Sequence, residues 1–167
     1  MAIIIASAVW TITAINIPKN TSSVEGIAMT CWPKNKDILK KYRKTNYNYL
    51  FEILKESAKL YNGKVTTHLI VGLGETDKEI IDFFYNMKKY GVTVGLFAFT
   101  PLKGTKLENL KKPKLIRYRK IQYSKDIIFN TDTSIDEFNF ENNMLIDVPI
   151  KKINYKDSIK TSGCEFC

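Results

Sequence analysis

Short apolar runs alternate with amphipathic stretches along most of this chain. Runs rich in apolar and β-branched residues predict strands over 24–30, 65–71, 92–100 and 144–148. Apolar residues at helical spacing predict helices over 37–60, with a break near residues 45–46, and from Pro113 to about Phe129. The segment after Asn130 is acidic and less regular. The pattern therefore reads as strand and helix in alternation, followed by a looser tail.

Local sequence signals mark both ends of one further helix, which follows the strand at 65–71. Thr76 and Glu79 have the spacing of a capping box, and Gly91 is a stop signal. The apolar side chains between them predict the buried side of this helix: Ile80, Ile81, Phe83, Phe84 and Met87.

Apolar strands joined by helices imply parallel pairing with both faces of the sheet covered. The fold class is therefore α/β, either a fragment of a parallel (β/α) barrel or a small doubly wound sheet. The 167 residues suit one domain but are few for a complete (β/α)8 barrel of about 250 residues. Ligands of such folds lie at the carboxyl ends of the strands, here residues 30–32, 72–75 and 99–102.

The chain divides into three regions of different character. Residues 1–23 are apolar but lack the cationic start of a signal peptide. They suit a buried strand or a non-native translated start, with a marginal membrane anchor as the alternative. Residues 24–130 hold the predicted barrel part, and residues 131–167 form a C-terminal extension with a CxxC motif.

Composition adds a strongly basic charge, +9 overall. Residues 91–130 carry nine cations and two anions, and residues 31–60 carry eight and three. Such blocks could contact phosphates or nucleic acid. Because they fall on periodic segments, we favour lysine-rich solvated helix faces, and we favour neither a nucleic-acid nor a membrane partner.

Three cysteines do not make a disulfide scaffold, and a reduced, cytoplasmic compartment is the expectation. Cys31 stands alone. Cys164 and Cys167 supply two soft ligands, half of a zinc or iron–sulfur site, or alternatively a redox dithiol.

The strand at 65–71 runs into two glycines and a capped helix. Glycines there allow a close backbone approach to a ligand, or simply a tight turn between strand and helix. His68, the only histidine, has the strand parity of Ile70 and is either near the ligand or a satisfied core residue. The next strand ends in aromatic residues and a loop, which suits an adenine ring or a core strand with a turn.

Taken together, these motifs resemble the radical SAM superfamily. HLIVGLGE is similar to the pattern GxIxGxxE at Ile70, Gly72 and Glu75, with His68 in place of the first glycine. VGLGETDKEIIDF and LFAFTPLKGTKLEN resemble the biotin synthase and lipoyl synthase branch. TSGCEFC is similar to the C-terminal TSGCxxC of archaeal-type members. The resemblance covers roughly residues 24–167.

The resemblance implies the C-terminal part of a (β/α)6 barrel that binds S-adenosylmethionine and a [4Fe–4S] cluster. The family uses these for radical chemistry, including sulfur insertion. The adenine side of the site would fall to residues of two successive strands and their loops: His68, Ile70, Gly72, Glu75, Phe99, Thr100 and Leu102. Cys164 and Cys167 would be candidate ligands of a second metal centre.

One departure from the family changes the expectation for activity. The CxxxCxxC loop that ligates the cluster does not occur in this sequence. We therefore expect a chain that is inactive alone and needs a complementary N-terminal radical SAM polypeptide or partner subunit. The substrate, a small molecule or an acyl-carrier conjugate, is left open. The alternatives are a basic module that binds nucleic acid without catalysis, and a pseudoenzyme subunit.

Overall fold

Four parallel strands form a sheet in the described part of this protein. A computed structural model describes residues 2–6, 24–32 and 47–160. The sheet contains β1 (Ala2–Ala6), β2 (Val24–Trp32), β3 (Val65–Val71) and β4 (Thr93–Ala98), in that spatial order. Each strand pairs in parallel with the next along the chain. The spatial order of the described strands follows their order along the chain. It therefore lacks the reversal of strand order, or switch point, that marks a doubly wound sheet.

Helices connect and follow these strands. They are α1 (Tyr47–Leu60), α2 (Asp77–Tyr90) and α3 (Leu115–Asn130). A small antiparallel hairpin follows, made of β5 (Asn139–Glu141) and β6 (Met144–Asp147), and then the short helix α4 (Tyr155–Ser158). The strand predicted over 144–148 is thus confirmed, whereas its partner β5 was not predicted.

The hydrophobic core lies on one face of the sheet. Alternate residues of β3 and β4 enter it, among them Leu69, Val71 and Leu96. They pack with side chains of all three long helices, including Leu54, Phe84 and Ile127. Because side chains alternate across a strand, Thr66, His68 and Ile70 project from the opposite face. The sheet thus has a helix-covered face and a second face that carries the only histidine.

The local signals around α2 are confirmed. The Thr76 side chain accepts a hydrogen bond from the Glu79 backbone, and the Glu79 carboxylate accepts one from the Thr76 backbone. Gly91 ends the helix in the left-handed conformation, with φ of 66°. The five predicted apolar residues of α2 are all buried. Strand β3 has the predicted bounds, Val65–Val71.

Two expectations are wrong in detail. The strand predicted over 92–100 was expected to be fully buried, yet β4 spans Thr93–Ala98 and exposes Phe97 and Ala98. Among the described strands, β4 pairs with β3 alone, so its other edge has no neighbouring strand. The helix predicted from Pro113 begins instead at Leu115, which is exposed. Pro113 packs on Gly72 rather than forming the first helical turn.

Side chains of α3 cover the free edge of β4. The Tyr118 hydroxyl donates to the Leu96 carbonyl at 2.9 Å, and Lys125 Nζ donates to the Val94 carbonyl at 3.2 Å. Both carbonyls would otherwise be exposed acceptors at a sheet edge. Burial lowers the pKa of Lys125.

Several predictions fall wholly or partly outside the described residues. They include the first part of the helix predicted over 37–60, its break near residues 45–46, and the C-terminal motif with Cys164 and Cys167. The strand expected in the apolar start is confirmed for Ala2–Ala6, and residues 7–23 lie outside the described part. Within the described ranges, the helices are all too short or too polar for a membrane crossing.

Candidate functional site

His68 and its neighbours form a partly open patch on the second face of the sheet. Ile70 lies beside Phe97 in the β3–β4 register, and His68 lies beside Gly95. The Phe97 ring is 44% exposed and meets the His68 ring edge to face, with 5.2 Å between ring centroids. Ile70 is half-buried. We call these three side chains, His68, Ile70 and Phe97, the sheet-face patch.

Two polar atoms on this face are buried without a partner. His68 Nε2 and Thr66 Oγ1 make no hydrogen bond within the described structure. Burial lowers the pKa of His68, so the imidazole is neutral near pH 7. A buried polar group without a partner is costly, by about 1–3 kcal/mol. These two atoms, two residues apart on one strand face, are closed off from solvent, so a ligand could hydrogen-bond to them only by displacing the groups that cover them.

The turn after β3 is held by Glu75. Its buried carboxylate accepts hydrogen bonds from the backbone amides of Gly72, at 2.6 Å, and Leu73, at 2.8 Å. Gly72 has φ of +108°, which L side chains rarely adopt, and a Cβ there would lie 2.8 Å from Pro113 Cδ. Glycine at 72 is thus required by the chain itself, and Glu75 shapes the turn rather than projecting from it.

Arg117 joins this turn to the start of α2. Its guanidinium donates to the Asp77 carboxylate at 2.7 Å, and to the Glu75 backbone carbonyl at 3.0 Å. A longer contact of 3.3 Å reaches the Glu75 carboxylate. The second oxygen of Asp77 accepts from the Leu145 backbone at 2.9 Å. Arg117 therefore contacts two buried carboxylates and anchors α3 to the turn, whereas Asp77 anchors the hairpin.

The remaining predicted positions follow β4. Phe99 is half-buried, and its backbone amide donates to the Val71 carbonyl at 2.8 Å. Its Cβ faces Gly72, so the two strand ends adjoin. Thr100 and Leu102 are exposed in the loop beyond, and Leu102 is 64% exposed. The structure thus brings His68, Ile70, Gly72 and Phe99 to one face and end of the β3–β4 pair, and within the described residues it shows no hydrogen bond or ring contact between this group and Thr100 or Leu102.

A second feature was missed from the sequence. An open cleft of about 480 Å³ lies between the Gly72–Glu75 turn, the start of α3 and the hairpin. Five of its lining residues are cations: Lys111, Lys112, Lys114, Arg117 and Lys120. The basic block containing them was interpreted as a helix face. That interpretation is wrong for residues 111–114, which precede α3 in irregular backbone because the helix begins only at Leu115.

The described residues offer no protein-built metal centre. Groups of three or more His, Cys, Asp or Glu side chains that could hold a metal ion are absent from this part of the chain. Cys164 and Cys167, the predicted metal ligands, lie outside it.

Comparison with protein-family models, with curated proteins and with solved structures gives no match for this chain.

Proposed function

We propose that this chain supplies the S-adenosylmethionine-binding, C-terminal part of a radical SAM barrel, of the biotin and lipoyl synthase type. The observation that carries the proposal is the sheet-face patch, which runs from His68 in the middle of β3 to Ile70 and Phe97 near the carboxyl ends of β3 and β4. It combines an exposed aromatic ring with a buried imidazole nitrogen that has no partner in the described structure. Small-molecule sites have this character, with apolar walls and a few fixed polar groups.

The adenosyl group fits the chemistry of this patch. Phe97 and Ile70 offer an apolar surface to a purine ring, and neutral His68 can donate or accept one hydrogen bond. The motif residue Glu75 supports the patch by holding the turn, since its oxygens are bound to the Gly72 and Leu73 amides. The sequential order of parallel strands supports a barrel-type winding rather than a doubly wound one.

The iron–sulfur cluster does not fit this chain. The sequence lacks CxxxCxxC, and the described residues offer no equivalent ligand group. We therefore assign no reaction step to the chain alone. A complementary polypeptide that carries the three cysteines would supply the cluster, and cytoplasmic reducing conditions would suit it. The substrate would be a small molecule or an acyl-carrier conjugate.

Titration of the full chain with S-adenosylmethionine, followed by amide NMR, tests the binding part of the proposal. We expect saturable shifts at residues 68–72 and 97–100, with a dissociation constant on the order of 1 mM because half of the site is missing. Adenosine should shift the same amides, whereas methionine alone should not. Saturable shifts confined to another region, or no shifts, would contradict the proposal.

A matched pair of variants sharpens this test. Phe97→Ala removes the exposed ring of the patch and should weaken binding at least fivefold. Leu60→Ala removes a comparably exposed apolar side chain from the end of α1 and should leave binding unchanged. Equal weakening by both would show that the contact is non-specific.

Anaerobic reconstitution with iron and sulfide tests the cluster part. The chain alone should yield no site-differentiated [4Fe–4S] spectrum. A stable spectrum of that kind would overturn the idea that the cluster comes from a complementary polypeptide.

A further inference from the structure

The basic cleft has an excess of positive charge that the protein does not neutralise. Its two acidic lining residues are already engaged. Glu75 is bound by two backbone amides, and Asp77 by Arg117 and by the Leu145 amide. Both carboxylates are essentially inaccessible to solvent. Against the five cations of the lining, these two carboxylates leave an excess of three positive charges.

The lysines that line the cleft differ in the contacts that their ammonium groups make. Lys120 donates to the Ile146 carbonyl, which carries no net charge. Lys111, Lys112 and Lys114 are exposed and form no ion pair with any residue in the described ranges. Other exposed lysines, such as Lys89, Lys103 and Lys156, also lack an ion pair within the described ranges, but they do not line the cleft. What sets Lys111, Lys112 and Lys114 apart is that all three line one cleft.

The walls of the cleft limit what can enter. Apolar side chains of Pro113, Ile116 and Met144 line it beside the lysines. Its volume of about 480 Å³ falls in the range of small-molecule sites, roughly 300–1,000 Å³. A ligand that matches both features is a compact organic molecule with a multiply charged anionic end.

We propose that this cleft binds a phosphorylated small molecule, with its phosphate or pyrophosphate on Lys111, Lys112 and Lys114. Several lysine point charges suit a phosphate dianion better than a single carboxylate. The apolar wall would take the organic part of the ligand. A nucleic acid is the less favoured occupant, because the cations gather around one cleft of about 480 Å³ rather than along a continuous groove.

This site is separate from the sheet-face patch. None of His68, Ile70, Phe97 or Phe99 lines the cleft. The two regions adjoin at the turn, where Pro113 and Phe99 both lie close to the position that a Cβ on Gly72 would take. Gly72 and Glu75, two of the predicted cofactor positions, also line the cleft. The two tests are therefore distinguished at residues that they do not share, 68–70 and 97–100 for S-adenosylmethionine and 111–117 and 144–145 for pyrophosphate.

The experiment uses inorganic pyrophosphate as the probe, titrated into the full chain at 0.15 M salt, with amide NMR as the readout. We expect saturable shifts at residues 72–76, 111–117 and 144–145. The triple variant Lys111→Ala, Lys112→Ala, Lys114→Ala should bind at least tenfold more weakly, since three exposed charge contacts are lost. Its thermal midpoint should be unchanged, because these three side chains form no ion pair within the described ranges.

A second triple variant with the same loss of charge is the control. Lys59→Ala, Lys89→Ala, Lys156→Ala changes exposed lysines that do not line the cleft, and it should bind pyrophosphate as the wild type does. Equal weakening by both triples would overturn the proposal, because the effect would be one of net charge.

Titration with a single-stranded oligonucleotide of about 16 nucleotides tests the alternative, a nucleic-acid partner. If it binds far more tightly than pyrophosphate and its affinity falls steeply with salt, the cleft belongs to a nucleic-acid surface and the small-molecule proposal is wrong. Absence of any saturable pyrophosphate shift would overturn it equally.

Discussion

The imidazole of His68 occupies the space that a side chain at residue 95 would need. A Cβ built on Gly95 would lie 2.6 Å from His68 Cδ2 and 3.3 Å from Nε2. The two residues are partners in the β3–β4 register, so the contact crosses adjacent strands. The glycine on β4 therefore permits the ring on β3, and the sheet-face patch depends on both.

Gly95→Ala should destabilise the protein by about 1–3 kcal/mol, because the ring must shift to make room. The free energy of unfolding in urea measures the loss. In a His68→Ala background the same substitution should cost much less, since the ring is gone. If Gly95→Ala lowers the free energy of unfolding equally in both backgrounds, the loss does not come from a clash with the His68 ring.

The pH dependence of stability should report on His68. Burial lowers its pKa in the folded protein below the usual 6.5, so the unfolded chain binds more protons in that interval. Stability should therefore fall as the pH drops from 6.5 towards the folded-state pKa, and be fully regained above 6.5.

His68→Gln provides the comparison for this pH effect. It removes the titrating group while keeping a polar side chain, so its urea midpoint should change less between pH 7.5 and pH 5.5 than that of the wild type. Parallel curves for the two proteins would assign the effect to other groups.

Arg117→Met should destabilise the protein strongly, by about 3–5 kcal/mol. The substitution leaves Glu75 and Asp77 buried without their shared cation. The unfolding free energy of Arg117→Lys should lie between those of Arg117→Met and the wild type. The lysine keeps a positive charge, but an ammonium cannot reproduce the forked contacts of a guanidinium. Lys55→Met, which breaks an exposed ion pair, should change the unfolding free energy by less than about 1 kcal/mol.

Thr76→Ala should cost about 1 kcal/mol, since the Glu79 amide loses its capping oxygen. Thr76→Ser keeps the oxygen and should be nearly neutral. Helical content by circular dichroism and unfolding in urea together test this pair. A serine variant as unstable as the alanine one would assign the loss to the methyl group.

The elements that were predicted correctly have local causes. The bounds of β3 follow from a β-branched apolar run, and those of α2 from the Thr76 capping box and the Gly91 stop. These signals act within a few residues and can be read without knowing the fold. The candidate residues His68, Ile70, Gly72 and Phe99 lie together because parallel strands end at the same edge.

What was missed depends on contacts between distant segments. Arg117 lies 42 residues from Glu75 along the chain, and Leu145 lies 68 residues from Asp77. No periodicity connects such positions. The start of α3 was misplaced for the same reason, because Pro113 is drawn onto Gly72, some 40 residues earlier in the sequence. The basic cleft could be found only once these three segments had been brought together.

Two side chains of α3 close one edge of the sheet to further strands. Tyr118 and Lys125 already occupy the outward carbonyls of Leu96 and Val94, so a strand arriving at β4 would have to displace both. Such a strand would have to break two hydrogen bonds before it formed its own, so α3 protects this edge of the sheet against edge-to-edge association.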